Sequence, residues 1–168
     1  MAYLIILRLI HIACGTFWAG VSIYLATFIL PASKGAGPAG GRFMQQLSQT
    51  NKLPLVMFLI PTLSVLSGIL LIWKLSNGLQ TSWVESDHGM ILIVGGSLAI
   101  IAYLTGFIMS RPAIMGISSI GKEMAGNPPN EAQAAELARL RKKLTTGTNI
   151  VAILLTGAVI AMSIVRYY

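Results

Sequence analysis

Four long apolar runs constrain this chain more than any other feature of its sequence. They cover residues 9–30, 53–73, 90–110 and 148–165, and none contains Asp, Glu, Lys or Arg. About 20 helical residues cross the hydrocarbon core of a bilayer, so each run is long enough to span it. Lipid offers the backbone no hydrogen-bond partners, and the alternation of barrel strands is missing. We therefore predict an all-α four-helix transmembrane bundle, with residues 1–168 as a single integral membrane domain.

Charged residues are scarce, and their placement indicates the partner. They make up 10% of the chain, against about 25% in a typical soluble domain. The net charge is +7, but the basic residues lie in short segments between apolar runs, as in membrane proteins. We therefore expect a lipid bilayer as the partner and no nucleic acid. The single cysteine, Cys14, excludes an intrachain disulfide.

The distribution of Lys and Arg predicts the orientation in the membrane. Residues 31–52 and 111–147 carry nine of the twelve basic residues. The positive-inside rule places these segments in the cytoplasm and both termini outside. The localisation predicted is a bacterial-type cytoplasmic (inner) membrane, crossed several times. The nine residues are Lys34, Arg42, Lys52, Arg111, Lys122, Arg139, Arg141, Lys142 and Lys143.

Individual residues predict where the first helix ends, where the second bends and where the fourth begins. Pro31 is expected to end the first helix, and Pro61 is expected to kink the second. Asn130, with Gln133 three residues later, is typical of a helix N-terminus with a capping box. The sequence therefore predicts a cytoplasmic helical extension, beginning at Glu131, before the fourth span.

Small and polar residues recur at helical spacing on each run and predict the faces that meet inside the bundle. These faces serve helix packing in the simplest interpretation. They consist of Arg8, His11, Gly15, Trp18 and Ser22 on the first helix; Met57, Pro61, Ser64 and Gly68 on the second; His88, Gly95, Ala99, Ala102 and Gly106 on the third; and Thr145, Asn149, Ala152, Thr156, Ser163 and Arg166 on the fourth.

The only two histidines, His11 and His88, are expected near the outer end of the bundle. Ionisable residues in a membrane span are functional candidates, and haem iron is commonly held by imidazole between helices. Arg8 and Arg166 are expected at the same end, where they could pair with two haem propionates. The walls of the slot would then be Gly15, Gly95 and Trp18. This pattern predicts a b-type haem for electron transfer or for a subunit of a redox complex.

Two other interpretations remain open. The chain could be a cofactor-free accessory or assembly subunit that packs against other membrane subunits or a second copy of itself. It could also handle copper, because its candidate ligands include imidazole, thiolate and thioether groups. No catalytic motif is found, so the chain is not expected to be an enzyme by itself. The copper candidates are His11, Cys14, His88 and Met90.

The first helix also carries a family resemblance. Its segment His11-Ile-Ala-Cys-Gly-Thr-Phe-Trp18-Ala-Gly20 resembles the H-x6-W-x-G opening of several small bacterial membrane protein families. They include the copper-resistance D-type proteins, the membrane protoporphyrinogen oxidases and uncharacterised four-helix proteins grouped with them, and the stretch Thr105–Pro112 is similar to the last group. The resemblance implies that His11 binds haem or metal. The later oxidase motifs around a second histidine and a lysine are not found, so porphyrinogen oxidation is not implied.

Overall fold

Each apolar run lies in a long helix of the computed structural model, which describes residues 2–124 and 127–168. The predicted all-helical fold is confirmed for this part of the chain, and four helices are long and apolar enough to cross a membrane. Residues 1, 125 and 126 of the predicted domain lie outside the described residues. The helices are α1 (Ala2–Gly35), α2 (Pro38–Gln49), α3 (Leu53–Leu75), α4 (Thr81–Val84), α5 (Asp87–Met124) and α6 (Glu131–Tyr167, with a 3-10 turn at Val165–Tyr167).

The four long helices form a ring. Helix α1 packs against α3 and α6, and α5 packs against the same two helices. Successive long helices run antiparallel, as the contacts between α3 and α5 show: Tyr103 lies beside Thr62 and Arg111 beside Phe58. The start of α1 and the end of α6 lie at one end of the bundle, here called the terminal end. Helix α2, the start of α3 and the segments flanking residues 125–126 lie at the other, here called the basic end.

The buried core is small, and the outer surface is apolar. Trp18, Ala19, Ala102, Val151 and Leu155 form the central cluster. Many large apolar side chains point away from it; Ile153, for example, is 72% exposed. A helix that is apolar on all sides fits a membrane span, because lipid stabilises outward apolar groups. The composition of the outer surface therefore suggests contact with a lipid bilayer.

Two helices continue well beyond a bilayer's thickness at the basic end. Helix α5 has 38 residues, about 57 Å at 1.5 Å per residue, against about 30 Å of hydrocarbon. Its last turns pack against the start of α6, where Leu137 and Leu140 are buried. The predicted helical extension is confirmed, and the Asn130 side chain accepts from the Gln133 backbone N–H at 2.8 Å.

The expected end of α1 at Pro31 is wrong. The helix continues to Gly35 because a wider π-helical turn, Leu25–Ile29, precedes the proline. Proline lacks an N–H, and its ring collides with the carbonyl four residues earlier in a regular α-helix. The wider turn changes that spacing, so the chain stays helical. A second π turn, Gly106–Ser110, ends two residues before Pro112, just as the first ends two residues before Pro31.

The predicted inner faces are right in part. Trp18, Ser22, Ser64, Gly95 and Ala102 are buried as expected, as are Pro61 and Ala152. The prediction is wrong for most of α6, where a neighbouring face is buried instead. The exposed residues there include Thr145, Asn149, Thr156, Ser163 and Arg166, whereas the buried ones include Thr148, Val151, Leu155 and Ala158.

Candidate functional site

His11 lies between helices and is held at one ring nitrogen. Its Nδ1 donates to the backbone carbonyl of Ser64 on α3 at 2.8 Å. The ring lies over Gly68, where a Cβ atom would come within 2.8 Å of the His11 Cε1. The imidazole therefore fills the space that the absent side chain of Gly68 leaves. This arrangement fixes the ring and the tautomer, with the Nδ1 hydrogen committed to the carbonyl.

The other three polar residues of the predicted haem site do not face the interior. Arg8, His88 and Arg166 are all exposed. The residue next to Arg8 is buried instead of it, since Leu7 is 8% exposed. The residue next to His88 is also buried, since Gly89 packs against the carbonyl of Trp83. Consecutive residues on a helix are about 100° apart, so burying one turns the next away. The structure thus places His11 alone of these four in a helix interface.

The two glycines expected to border a haem slot serve separate helix contacts. A Cβ on Gly15 would meet the Ser64 Oγ on α3 at 3.2 Å. A Cβ on Gly95 would meet the Met162 Cγ on α6 at the same distance. Both glycines permit close approach of helices, the ordinary role of small residues in membranes. Trp18 is buried, but it faces a different cavity, described below.

The copper candidates do not share one buried site. Cys14 is half-buried, and Met90 and His88 are exposed. Within residues 2–124 and 127–168, no group of three or more His, Cys, Asp or Glu side chains is placed to hold a metal ion.

A cavity of about 150 Å³ lies in the half of the bundle next to the basic end. The sequence pattern does not predict this cavity. Helices α1, α3, α5 and α6 form its walls, and α2 covers it with Met44, Leu47 and Ser48. Most of the lining is apolar and aromatic. The polar or charged lining residues are Ser22, Ser48, Tyr103, Ser110, Arg111 and Thr148.

Trp18 and Tyr103 form the inner wall of the cavity, the part of its lining that packs in the central cluster of the bundle. The rings of Trp18 and Tyr103 meet edge to face, with centroids 6.4 Å apart. The Tyr103 hydroxyl lies 3.0 Å from the Thr62 Oγ1, which itself donates to the Phe58 carbonyl at 2.6 Å. Because the Thr62 hydrogen is used, Tyr103 donates in this pair. The hydroxyls of Tyr103 and Thr62 are therefore satisfied by the protein, which holds the tyrosine ring in place.

One charged side chain, Arg111, reaches the cavity where α5 leaves the predicted span. Its guanidinium carbon lies 5.0 Å from the ring centroid of Phe58 and 5.1 Å from that of Phe107. Both distances suit cation–π contacts, which orient the planar group. Among the described residues the only ion pair joins Arg139 to Glu136, so Arg111 has no carboxylate partner there.

Both π-helical turns border this cavity. Leu25 comes from the first, and Gly106, Phe107 and Ser110 come from the second. A π turn widens a helix locally and often occurs at functional sites. The sequence signal that could have pointed here is the proline two residues after each turn, at Pro31 and Pro112. Each proline requires a local departure from the regular helix, and both lie at the basic end.

Comparisons with known proteins add no family to this description. A scan against protein-family models, a search of curated proteins and a search of solved structures each find no match to the chain. The resemblance of the first helix to the haem- and metal-related families therefore stays a prediction.

Proposed function

We propose that this protein binds a long apolar molecule from the membrane in the cavity between its helices. The observation that carries the proposal is the cavity itself: an aromatic-lined space inside a lipid-facing bundle, bordered by both widened helical turns. Binding sites for small molecules are typically apolar hollows with a few fixed polar groups. The cavity at the basic end has these features.

The cavity volume limits what enters. A closed cavity of about 150 Å³ lined by apolar side chains holds a molecule about the size of benzene. The cavity of this protein has that volume and is partly open. It therefore takes one ring or a short length of chain, while the rest of the ligand lies along the bundle in lipid. A haem is far too large for it.

The positive-inside rule predicts the side of the membrane on which the site lies. Nine of the twelve basic residues fall in the two segments at the basic end. This end would then face the cytoplasm of a bacterial-type inner membrane, and the ligand would enter from the cytoplasmic leaflet.

Fluorescence quenching of Trp18 tests the proposal. A variant with Trp73→Phe and Trp83→Phe keeps Trp18, which lines the cavity and is 4% exposed, as its single tryptophan. Brominated dodecyl maltoside quenches tryptophan at short range and is expected to quench Trp18 by placing its chain in the cavity. Gly106→Leu adds a side chain at the lining, where the first added carbon would lie 4.0 Å from Val151. It is expected to remove most of the quenching.

Gly20→Leu is the matched control. Gly20 lies on α1 with no neighbouring atom within 4 Å of its added carbon, so the same substitution there points into lipid. In the background that keeps Trp18 alone, quenching that is retained in Gly20→Leu and lost in Gly106→Leu supports the proposal. Equal quenching in all three proteins contradicts it, because the bromine atoms would then reach Trp18 without entering the cavity.

His11 supports a second candidate function, a b-type haem bound at the terminal end. The observation in its favour is the Nδ1 bond to the Ser64 carbonyl, since ligating histidines usually donate their other ring N–H to such an acceptor. The Nε2 lone pair would then be the iron ligand. A reduced-minus-oxidised visible spectrum of native membranes containing the protein tests this candidate. Haem bands that disappear in His11→Ala and persist in His88→Ala would support it, and a flat spectrum would reject it.

A further inference from the structure

We infer that the ligand of this cavity carries a phosphate head, bound by Arg111 at the mouth of the cavity. This inference rests on the proposed function and adds the chemical class of the ligand to it. The ligand would be an amphiphile whose chain enters the cavity and whose phosphate lies at the level of Arg111.

The position of Arg111 matches such a molecule. The predicted third span ends at residue 110, so Arg111 lies at the boundary between hydrocarbon and headgroups. The same side chain lines the cavity together with Phe58 and Phe107. A molecule with its chain in the cavity therefore has its head beside the guanidinium. Basic pockets between membrane helices are known sites for anionic headgroups.

The guanidinium is oriented and has unused donors. The Phe58 and Phe107 rings contact it at 5.0 and 5.1 Å, and aromatic contacts of this kind leave the N–H groups at the edge of the plane free. Within residues 2–124 and 127–168, no side chain or backbone acceptor takes a hydrogen bond from Arg111. Five N–H donors in a planar fork match the oxygens of a phosphate.

The surrounding charges also favour an anion. Lys52 precedes α3 at this end, and Arg141 reaches to within 4.0 Å of the position that a Gly41 Cβ would take on α2. Three carboxylates lie in the segments at this end, Glu123, Glu131 and Glu136, against nine basic residues. Glu136 pairs with Arg139 at 2.6 Å, and Glu123 accepts from Ser119 at 3.3 Å. The local field is therefore positive, which attracts a phosphate and repels a cationic head.

Competition in the Trp18 quenching assay tests the inference. Dodecyl phosphate and dodecylphosphocholine have the same chain, but the choline cation leaves the head of the second without net charge. We expect dodecyl phosphate to displace brominated dodecyl maltoside at about one tenth of the mole fraction needed for dodecylphosphocholine, since one net charge beside a guanidinium near the protein surface contributes roughly this factor. Arg111→Gln is expected to abolish the preference, measured as the ratio of the mole fractions at which the two detergents halve the quenching in that variant. Lys122→Gln, which removes one charge elsewhere on α5, is expected to keep it.

The outcomes separate this inference from the proposed function. If the protein that keeps Trp18 alone is quenched but shows no preference, or if Arg111→Gln in that background keeps the preference, the phosphate head is rejected and the apolar site stands. If Trp18 is not quenched at all in that protein, both proposals fail. Displacement by inorganic phosphate alone also overturns the inference, because the chain would then contribute nothing.

Two further arms identify the source of the phosphate. In nanodiscs of phosphatidylcholine, adding phosphatidylglycerol is expected to protect Trp18 from the brominated maltoside if the ligand is a bilayer phosphodiester. Protection by added dodecyl phosphate but not by phosphatidylglycerol assigns a lipid phosphate monoester. Protection by neither contradicts the inference.

Discussion

At the scale of single residues, several interior hydroxyls of this bundle donate to carbonyls of their own helix. Ser67 donates to the carbonyls of Leu63 and Ser64, and Thr148 donates to that of Leu144. The exposed hydroxyls of α6 do the same: Thr156 donates to Ala152 and Ser163 to Val159. Because a hydroxyl can bond to its own helix, it has no need to face another helix. The positions of the polar residues therefore do not identify the buried face of α6, and the helical spacing of small residues does not identify it either.

The fit of His11 against Gly68 gives the prediction at this scale. Gly68→Ala places a Cβ atom 2.8 Å from the ring, so the ring or the helix must shift. Overpacking of this kind costs about 1–3 kcal/mol, and the thermal unfolding midpoint in detergent is expected to fall accordingly. Truncating the ring removes the collision, so His11→Ala combined with Gly68→Ala is expected to lose less stability than the sum of the single variants. Gly20→Ala, in open space, is the control.

Additive losses in this double-mutant cycle would show that the two residues do not touch. The His11→Ala variant of this cycle also tests the haem candidate. If the role of His11 is purely structural, the variant changes only the unfolding midpoint. If His11 is a haem ligand, native membranes that contain the variant also lose the haem bands.

At the scale of helices, the sequence was informative where lipid dictates the pattern. The four spans follow from the apolar runs, and the start of α6 follows from Asn130 and Gln133, which form the capping box. The end of α1 did not follow from Pro31, since a proline ends a helix only if the preceding turn keeps its regular spacing. Nothing in the residue types of 25–29 distinguishes a π turn from an α turn. Pro31 and Pro112 indicate local departures from the regular helix, but the residue types do not predict the cavity that the two π turns border.

The role of Pro112 in shaping the cavity can be tested directly. Pro112→Ala restores a backbone donor and removes the ring, so the turn Gly106–Ser110 can tighten to the regular spacing. We expect the unfolding midpoint to rise, by an amount corresponding to at most about 3 kcal/mol. We also expect Trp18 quenching by brominated dodecyl maltoside to fall as the cavity narrows. Pro128→Ala, in the exposed connection before α6, is the control. Unchanged quenching in Pro112→Ala would show that the proline does not maintain the cavity.

At the scale of the whole molecule, the distribution of charge and the position of the cavity agree. The basic segments, the extended helices and the cavity all lie at one end of the bundle. A protein that draws a phosphate-bearing amphiphile from one leaflet needs both features at the same side of the membrane. The terminal end has neither feature to the same degree: its basic residues are Arg8, Lys74 and Arg166, and all three are exposed. For the ligand that we propose, the orientation would determine which leaflet supplies it.

Topology reporters test that orientation. Alkaline phosphatase is active outside the cytoplasmic membrane, and green fluorescent protein is fluorescent inside. A phosphatase joined after Tyr168 is expected to be active, and a fluorescent protein inserted at Asn127–Asn130 is expected to fluoresce, because the positive-inside rule holds the basic end in the cytoplasm. Neutralising Arg141, Lys142 and Lys143 together still leaves twice as many basic residues at the basic end as at the other, so the orientation is expected to persist. A fluorescent C-terminal fusion with an inactive phosphatase would reverse the orientation and assign the cavity to the outer leaflet.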